Sequence, residues 1–570
     1  MKDIEEAKEK WEQDCLKKNM ERLGLKENPT EIYTPLHIEG QDYLQTLGFP
    51  GEFPFTRGNH AIPLYLALWG RGKDLAGGKL VRHALGYAGF GAPEDYRDFL
   101  IKRGETGVRG GGPNIAFDLP TQCGYDSDDK LSEGEVGKVG VAVDTLRDFE
   151  IIYEAFTGDR DLDKIASNWT ITSATNIILA MYIALAKKRN IPIDKLSGTP
   201  QNDILKEFVS RGTQVFPVGP SMRMTRDTFT YCAQYIPRMN VISICGYHIR
   251  EAGATRVQSV AFAFANAIAY IQTAINAGLD LDRFMRHVTF LSFGGGMEFL
   301  KEVAIRRAAR RVWAKIMRER LGSKDPRNWI ITELGGALAG YWTATKQRPL
   351  NNLVRMAIGA AFAAMIGEPP MPEPPYDEPL GLGHSIEARQ LAVDAARIIV
   401  EECKLGDVAD PLAGSYYIES LTNRYEGEIF DLIHRIDEMG GAVKAVESGW
   451  MKEEIMKSVV AWQKKMGTGE EIQVGVNKYT EPDEVEVMPP RTPEYESKNL
   501  REAGEKQIEN LRKVKRERDN EKVQSCLEKI ENAARDDKAN LIPFFVEAVE
   551  AYASIGEICG RLRNVFGEAR

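Results

Sequence analysis

Tyr247 and His248 stand directly behind Val241 to Cys245, a short apolar, β-branched run bounded by Asn240 and Gly246. That run has the pattern of a strand buried on both faces. Residues just past the carboxyl end of a strand in a parallel α/β barrel face the active-site mouth. An imidazole placed there is a hydrogen-bond partner or a proton carrier near neutral pH; a packing histidine would leave the same letters. A second strand end, Gly198-Thr199-Pro200-Gln201-Asn202-Asp203, is followed by Arg211. A guanidinium at a barrel mouth clamps a carboxylate because its fork matches two oxygens. Taken alone, Arg211 reads more readily as a surface ion pair. Tyr87, in Gly86-Tyr87-Ala88-Gly89-Phe90-Gly91, is either a further donor or a core aromatic. The triglycines Gly110–Gly112 and Gly294–Gly296 permit close backbone approach to a ligand, with flexible loops the plainer reading. No metal-ligand cluster, nucleophile elbow or phosphate loop stands out.

The elements that must position these residues alternate. Buried-strand candidates are Asn114–Leu119, Trp169–Ser173, Leu196–Thr199, Val241–Cys245, Val288–Phe293 and Trp329–Leu334, with weaker ones near Ala364–Gly367 and Asp407–Asp410. Between them lie helical stretches at Thr175–Arg189, Gln258–Ala277, Phe299–Leu321 and Asn352–Met365. Strand and helix repeated about eight times is the signature of a (β/α)8 TIM barrel, an α/β fold. An open doubly wound sheet gives the same local pattern, but no G-x-G-x-x-G follows a first strand to favour it. Residues 1–50 read as a polar helix, Met1–Leu25, and an extended arm; 51–415 as the barrel; 416–570 as a helical region. Within the last, Thr422–Met439, Met451–Met466, the charged Glu496–Arg518 and the apolar-faced Asn540–Phe566 are helices, and Tyr479–Pro493 is a Pro/Glu-rich loop.

A chain of 570 residues exceeds one average domain. Apolar content of 43% and charged content of 28% place it among globular proteins able to bury a large core. The net charge of −9 and dispersed basic residues argue against nucleic acid. Seven scattered cysteines without a C-x-x-C pair indicate neither a disulfide framework nor a zinc site. The charged N-terminus is no signal peptide, and charges interrupt every apolar run that could span a membrane. A cytoplasmic protein is expected.

Taken together, the pieces resemble the large subunit of the adenosylcobalamin-dependent acyl-CoA mutases, the methylmalonyl-CoA mutase family. The matching stretches are Phe53-Pro54-Phe55-Thr56-Arg57-Gly58, Tyr87-Ala88-Gly89-Phe90, Ala116 to Thr121, Gly124 to Asp128, Gln201 to Phe208, Ser243 to His248, Glu251 to Thr255 and Gly475 to Tyr479, in family order. The resemblance implies homolysis of a cobalt–carbon bond, hydrogen abstraction from the acyl group by the resulting radical, migration of the thioester carbonyl to the neighbouring carbon, and return of the hydrogen. It implies that His248 hydrogen-bonds the thioester oxygen, that Tyr247 lies beside the corrin, and that Glu251 and Glu378 are cofactor-binding, with Glu378 at the adenosyl ribose. By the same resemblance, Tyr87 and Arg211 are expected to hold a distal carboxylate, with Gln201 and Thr199 nearby, while Arg238 and Asn240 are expected to line the CoA and substrate path. Members whose substrates lack a carboxylate differ at the positions of Tyr87 and Arg211, so a methylmalonyl/alkylmalonyl-to-succinyl type of acyl-CoA is expected.

Departures from the family pattern fall at Asn59–Gly86, which lacks the Y-P-T-M and T-I-R-Q residues, at Arg109–Pro113, at Gly335–Trp342, at Pro369–Pro375, and at Val288 in place of an arginine. Small or apolar groups replace polar ones, which suits a bulkier acyl chain because unpaired buried polar groups are costly. No D-x-H-x-x-G occurs, so a separate small cobalamin-binding subunit is expected to ligate cobalt, in a heterotetramer or other hetero-oligomer, docked on the C-terminal helices. The rivals are a catalytically silent mutase-like barrel that stabilises a partner subunit and an unrelated barrel lyase.

Overall fold

A computed structural model of the chain describes residues 2–26, 32–62, 87–105, 112–332, 340–370, 375–380, 386–480 and 497–569. Its strands are β1 (Tyr87–Ala88), β2 (Asn114–Ala116), β3 (Ala166–Thr170), β4 (Ser197–Pro200), β5 (Arg238–Met239), β6 (Ile242–Ile244) and β7 (Val288–Phe290). Every pairing is parallel, and the first five follow one another in the order β1-β2-β3-β4-β5. That order lacks the reversal at which a doubly wound sheet changes direction. β6 pairs with β7, Ile242 opposite Val288. Two bonds carry the sheet across the break: Asn240 N–H donates to the Gly198 carbonyl and Ser243 N–H to the Gln201 carbonyl, both at 2.9 Å. Beyond β7, Phe290 N–H donates to the Thr332 carbonyl at 2.8 Å. The protein is therefore a mixed α/β fold on parallel sheets; a closed ring is not seen among the described residues.

β6 and β7 are buried at every residue, hence on both faces, as their largely apolar runs require. Helices Thr175–Lys188 and Arg256–Asn276 cover the strands. The latter begins at a capping box in which Thr255 and Gln258 satisfy each other's backbone N–H groups.

Some expected elements shift or change type. The strand expected at Trp169–Ser173 begins at Ala166 and stops at Thr170, because Ser173 and Ala174 already lead into a helix. Ala364–Gly367 is the end of helix Asn351–Met365, not a strand, and Asp407–Asp410 forms bends. Most of Trp329–Leu334 is irregular, and Glu333 and Leu334 lie outside the described residues. The arm after residue 31 is not simply extended: it makes short helical turns at Pro35–Ile38 and Tyr43–Thr46. It lies on the chain's own helix Tyr416–Glu438, where Tyr33 meets Tyr417 edge-on at 4.7 Å. The expected Asn540–Phe566 helix is two, Ile542–Glu550 and Ile555–Phe566. Tyr552, at φ 63°, breaks it, and Ser554 caps the second helix. Helix Ile542–Glu550 packs on Thr175–Lys188, and their buried residues belong to one apolar core. Among the described residues no helix is long and apolar enough to cross a membrane.

Candidate active site

Where β6 ends, the Cys245 N–H donates to Asp203 Oδ2 at 2.8 Å. The other oxygen of Asp203 accepts from the Tyr270 hydroxyl at 2.7 Å, and that hydroxyl accepts from the Leu205 N–H at 2.7 Å. One fully buried carboxyl thus ties the loop after β4 to the end of β6. Burial pushes this carboxyl up to about 6, against the pull of Lys206 and the hydrogen bonds. Gly246 then turns the chain into the short helix Gly246–Glu251. A Cβ there would stand 2.8 Å from the Phe293 ring and 3.0 Å from the Ser259 carbonyl, so the turn needs glycine. The N–H groups of Gly246 and Tyr247 both donate to the Ser292 carbonyl, at 2.8 and 2.9 Å. Tyr247 and His248 are held side by side on the first turn, their rings 4.1 Å apart and tilted by 45°.

The loop after β4 supplies the charges. Asn202 takes a left-handed conformation, φ 50°, and its side-chain amide donates to the Val241 carbonyl at 3.0 Å. The segment Glu207–Arg211 that follows packs against the helix carrying His248. Glu207, buried, accepts from Thr172 Oγ1 at 2.8 Å, from Thr213 Oγ1 at 2.7 Å and from Lys206 Nζ. Burial raises its pKa, but Lys206, Arg211 and these donors together hold the carboxyl below its ordinary range. Gln201 Oε1 accepts from Lys206 Nζ at 2.8 Å and from Arg211 Nη1 at 3.3 Å. Arg211 Nη1 also lies 3.8 Å from Glu207, and its side chain keeps 21% exposure.

His248 is partly open as a residue, yet its Nδ1 is enclosed and has no hydrogen-bond partner. Burial, then Lys206 and Arg211, hold the imidazole well below its ordinary range, so it is neutral at pH 7. An orphaned ring nitrogen beside a cationic pair is a place for a polar ligand atom, since enclosed polar groups normally find partners.

The remaining expected residues are placed unevenly. Asn240 Nδ2 donates to Thr199 Oγ1 at 2.8 Å, so those two form a pair on neighbouring strands. Arg238 is exposed at the amino end of its strand, opposite Ser197. It stands about 20 Å in strand rise below the β6 terminus and does not join the His248 cluster. Tyr87 lies on β1, opposite Asn114; its side chain is outside the described residues. Glu251, one turn after Tyr247, accepts from the Trp342 N–H at 2.8 Å, while the Trp342 indole donates to the Gly295 carbonyl at 3.0 Å. Glu378 sits partly exposed in the turn Glu378–Leu380. Gly294 serves close packing rather than looseness: at φ 73°, its Cβ would stand 2.7 Å from that of Arg250. Gly110, Gly111, most of 59–86, residues 335–339 and 371–374 lie outside the described residues.

Lys206, Glu207, Asp203 and Tyr270 escaped the sequence reading as working parts. Adjacent Lys and Glu look like a solvated helix surface. The signal against that was their flanks, with Ile204, Leu205, Phe208 and Val209 on both sides.

A sequence profile of the methylmalonyl-CoA mutase family matches residues 25–568. The chain is 37% identical over 533 residues to the 2-hydroxyisobutanoyl-CoA mutase large subunit of Aquincola tertiaricarbonis, covering 92% of this chain and 89% of that one. It is 36% identical over 537 residues to methylmalonyl-CoA mutase of Escherichia coli (strain K12), covering 94% and 70%. Against mitochondrial methylmalonyl-CoA mutase of Homo sapiens it is 36% identical over 524 residues, covering 91% of this chain and 65% of the relative. It thus spans about two thirds of the mitochondrial protein's length. These relatives are mutases by name, which are isomerases, and with a match running nearly end to end the chain belongs to the methylmalonyl-CoA mutase family.

Proposed function

We propose that this chain is the large, substrate-binding subunit of an adenosylcobalamin-dependent acyl-CoA mutase. It is an isomerase that shifts the CoA thioester carbonyl between neighbouring carbons of a carboxylated acyl group. The observation that carries this reading is the neutral His248 with an unengaged ring nitrogen, standing at a strand end beside Arg211, Lys206 and Gln201.

Adenosylcobalamin, when bound, supplies the radical that exchanges a hydrogen with the acyl group. Tyr247 and Glu251, four residues apart and so on one face of their helix, are both partly exposed and fit a flat ring resting above them. Glu378 would help to hold the adenosyl ribose, and a small cobalamin-binding subunit would supply the rest of the cofactor's site. Arg211, with Tyr87, holds the acyl carboxylate; its fork has Nε and Nη2 uncommitted to any described residue. A neutral imidazole at His248 hydrogen-bonds the thioester oxygen without giving up a whole charge as electron density there changes. Thr199, Gln201 and Asn240 line the acyl path, and Arg238 meets CoA farther down. Substitution of polar family residues by apolar ones favours an alkyl chain longer than methyl. The open Arg211 fork and the orphaned imidazole favour an enzyme over a silent partner-stabilising barrel, in which such groups would be costly and idle.

The test is reconstitution with a small cobalamin-binding subunit and adenosylcobalamin, followed by isomerisation of methylmalonyl-CoA and longer alkylmalonyl-CoA esters. Turnover is expected, faster with the longer esters, together with corrin absorbance in the complex. Arg211→Ala should lower kcat/KM on carboxylated esters by about 100-fold or more while corrin binding survives; unchanged turnover rules out the clamp.

A further inference from the structure

Lys206 is wholly buried, and its ammonium touches two groups: Gln201 Oε1 at 2.8 Å and the Glu207 carboxylate. An amide has one accepting end and one donating end. Because the same Oε1 also receives Arg211 Nη1 at 3.3 Å, the oxygen must face the two cations; the reverse orientation would set the NH2 against an ammonium and a guanidinium. The Gln201 NH2 therefore points the other way, where it donates to no described residue and is not an enclosed orphan. Lys206 also neutralises Glu207. Without it, the carboxylate's nearest cation would be Arg211, already 3.8 Å away.

We infer that Lys206 is a positioning residue: its buried ammonium fixes the Gln201 amide oxygen-inward and, through that amide and Glu207, sets where the Arg211 fork points. Resting on the function proposed above, this makes Lys206 a determinant of carboxylate preference that touches no substrate itself. It has a second consequence. Lys206 and Arg211 are the cations that depress the His248 ring, and the segment Glu207–Arg211 packs against its helix. The other charged groups near that helix are engaged elsewhere: Arg250 with the Ala254 carbonyl and the Trp342 ring, Glu251 with Trp342 N–H, and Arg256 with Glu298 and Glu302. Asp203 and Glu207 face the cluster as carboxyls, with Asp203 tied to Cys245 and Tyr270. Removing Lys206 should therefore raise the pH at which the ring titrates.

The experiment compares binding of methylmalonyl-CoA and isobutyryl-CoA, equal in carbon skeleton except for the carboxylate, to the chain complexed with its small subunit, by calorimetry. Lys206→Met should lose about tenfold in preference for the carboxylated ester while isobutyryl-CoA affinity stays within about twofold. The double variant Lys206→Met/Glu207→Gln removes both buried charges, keeps an accepting oxygen for one of Thr172 and Thr213, and offers an NH2 to the hydroxyl oxygen of the other. It should fold where the single variant does not, and should show the same loss. A lysine that only packs would weaken both esters alike, and that result, or an unchanged preference, overturns the inference. Carbon-13 NMR of histidine-labelled chain, with His248→Gln to assign the ring, needs neither ester nor cofactor. In Lys206→Met the ring should titrate about one pH unit higher, and an unmoved ring overturns the electrostatic part. If the wild-type complex binds neither ester, the functional reading fails, and the ring titration alone decides the role of Lys206.

Discussion

Two regions of this molecule bury clusters of positive charge, and they do so to opposite ends. Helix Phe299–Lys315 carries Arg306, Arg307, Arg310 and Arg311 at a spacing that puts them on one face, each at most 3% exposed. Arg307 bonds Glu419 at 3.1 and 2.7 Å, Asp410 at 3.1 Å and Thr422 at 3.0 Å. Arg310 reaches the Ile366 and Thr56 carbonyls and Glu368; Arg311 reaches Asn423, Glu426 and the Thr46 carbonyl. These forks staple the N-terminal arm and helix Tyr416–Glu438 to the α/β layer. Where the Lys206–Arg211 segment meets the helix Gly246–Glu251, by contrast, the Arg211 fork is half committed and the His248 Nδ1 has no partner at all. Arg307, bonded at every nitrogen and closed to solvent, is architecture, and the Nε atoms that Arg310 and Arg311 leave without a partner are sealed in with it. Spare hydrogen-bonding capacity on residues that still reach solvent, as at Arg211 and His248, is where a ligand is expected.

The sharpest way to break this contrast is the same substitution in both places. Arg307→Met leaves Asp410 and Glu419 buried without their partner and should cost about 3–5 kcal/mol of stability, read by urea unfolding. Arg211→Met removes one long hydrogen bond from a side chain with 21% exposure. It should cost less than about 1 kcal/mol while abolishing the proposed preference for a carboxylated ester. Equal losses of stability would erase the distinction.

Carboxylates clustered with one another sharpen it from the other sign. Asp144 and Asp148 share the Gln507 amide, at 2.7 and 3.1 Å, where helix Ser497–Glu517 meets the α/β layer. Burial, above all, pushes Asp148 up to about 6 although the Thr145 and Asp144 N–H groups donate to it. A carboxyl raised above its unfolded value binds its proton more tightly when folded. Its contribution is complete below the unfolded value near 4 and is lost as pH rises through about 6. Asp148→Asn still accepts from both N–H groups and never pays for ionisation. Between pH 4 and 7.5 its stability relative to wild type should therefore improve by up to about 3 kcal/mol; a pH-independent difference would contradict it.

How much of this was legible beforehand follows burial. The strands β6 and β7 were readable because largely apolar runs have little choice but to be covered, and β4 because Leu196 to Thr199 holds no charge between two helical stretches; Gln201, Tyr247 and His248 follow the ends of β4 and β6. Charged runs were not readable. Lys206-Glu207 and the four arginines of Phe299–Lys315 are letters that mark solvated surface in most chains. What buries them here is pairing with Gln201, Asp410, Glu419 and Glu426, partners up to 115 positions away in sequence, as Arg311 is from Glu426, which local periodicity cannot see. Tyr552 ended a helix that apolar spacing alone would have continued, because backbone conformation at one residue leaves no trace in hydrophobic pattern.

The smallest expected effect isolates burial from geometry. Arg320 grips Asp437 with both terminal nitrogens at 2.8 Å, as well shaped a fork as Arg307 makes with Glu419 at 3.1 and 2.7 Å. The difference is solvent: Arg320 and Asp437 each keep 37% of their side-chain surface, whereas Arg307 and Glu419 keep 0 and 1%. Water already solvates both exposed charges, so losing the pair strands neither. Arg320→Met should cost about 0.5 kcal/mol, and that loss should shrink further in high salt. A cost near that of Arg307→Met would mean that the fork itself, not the removal of water around it, sets the energy, and the line drawn between staple and site would then have to rest on something other than burial.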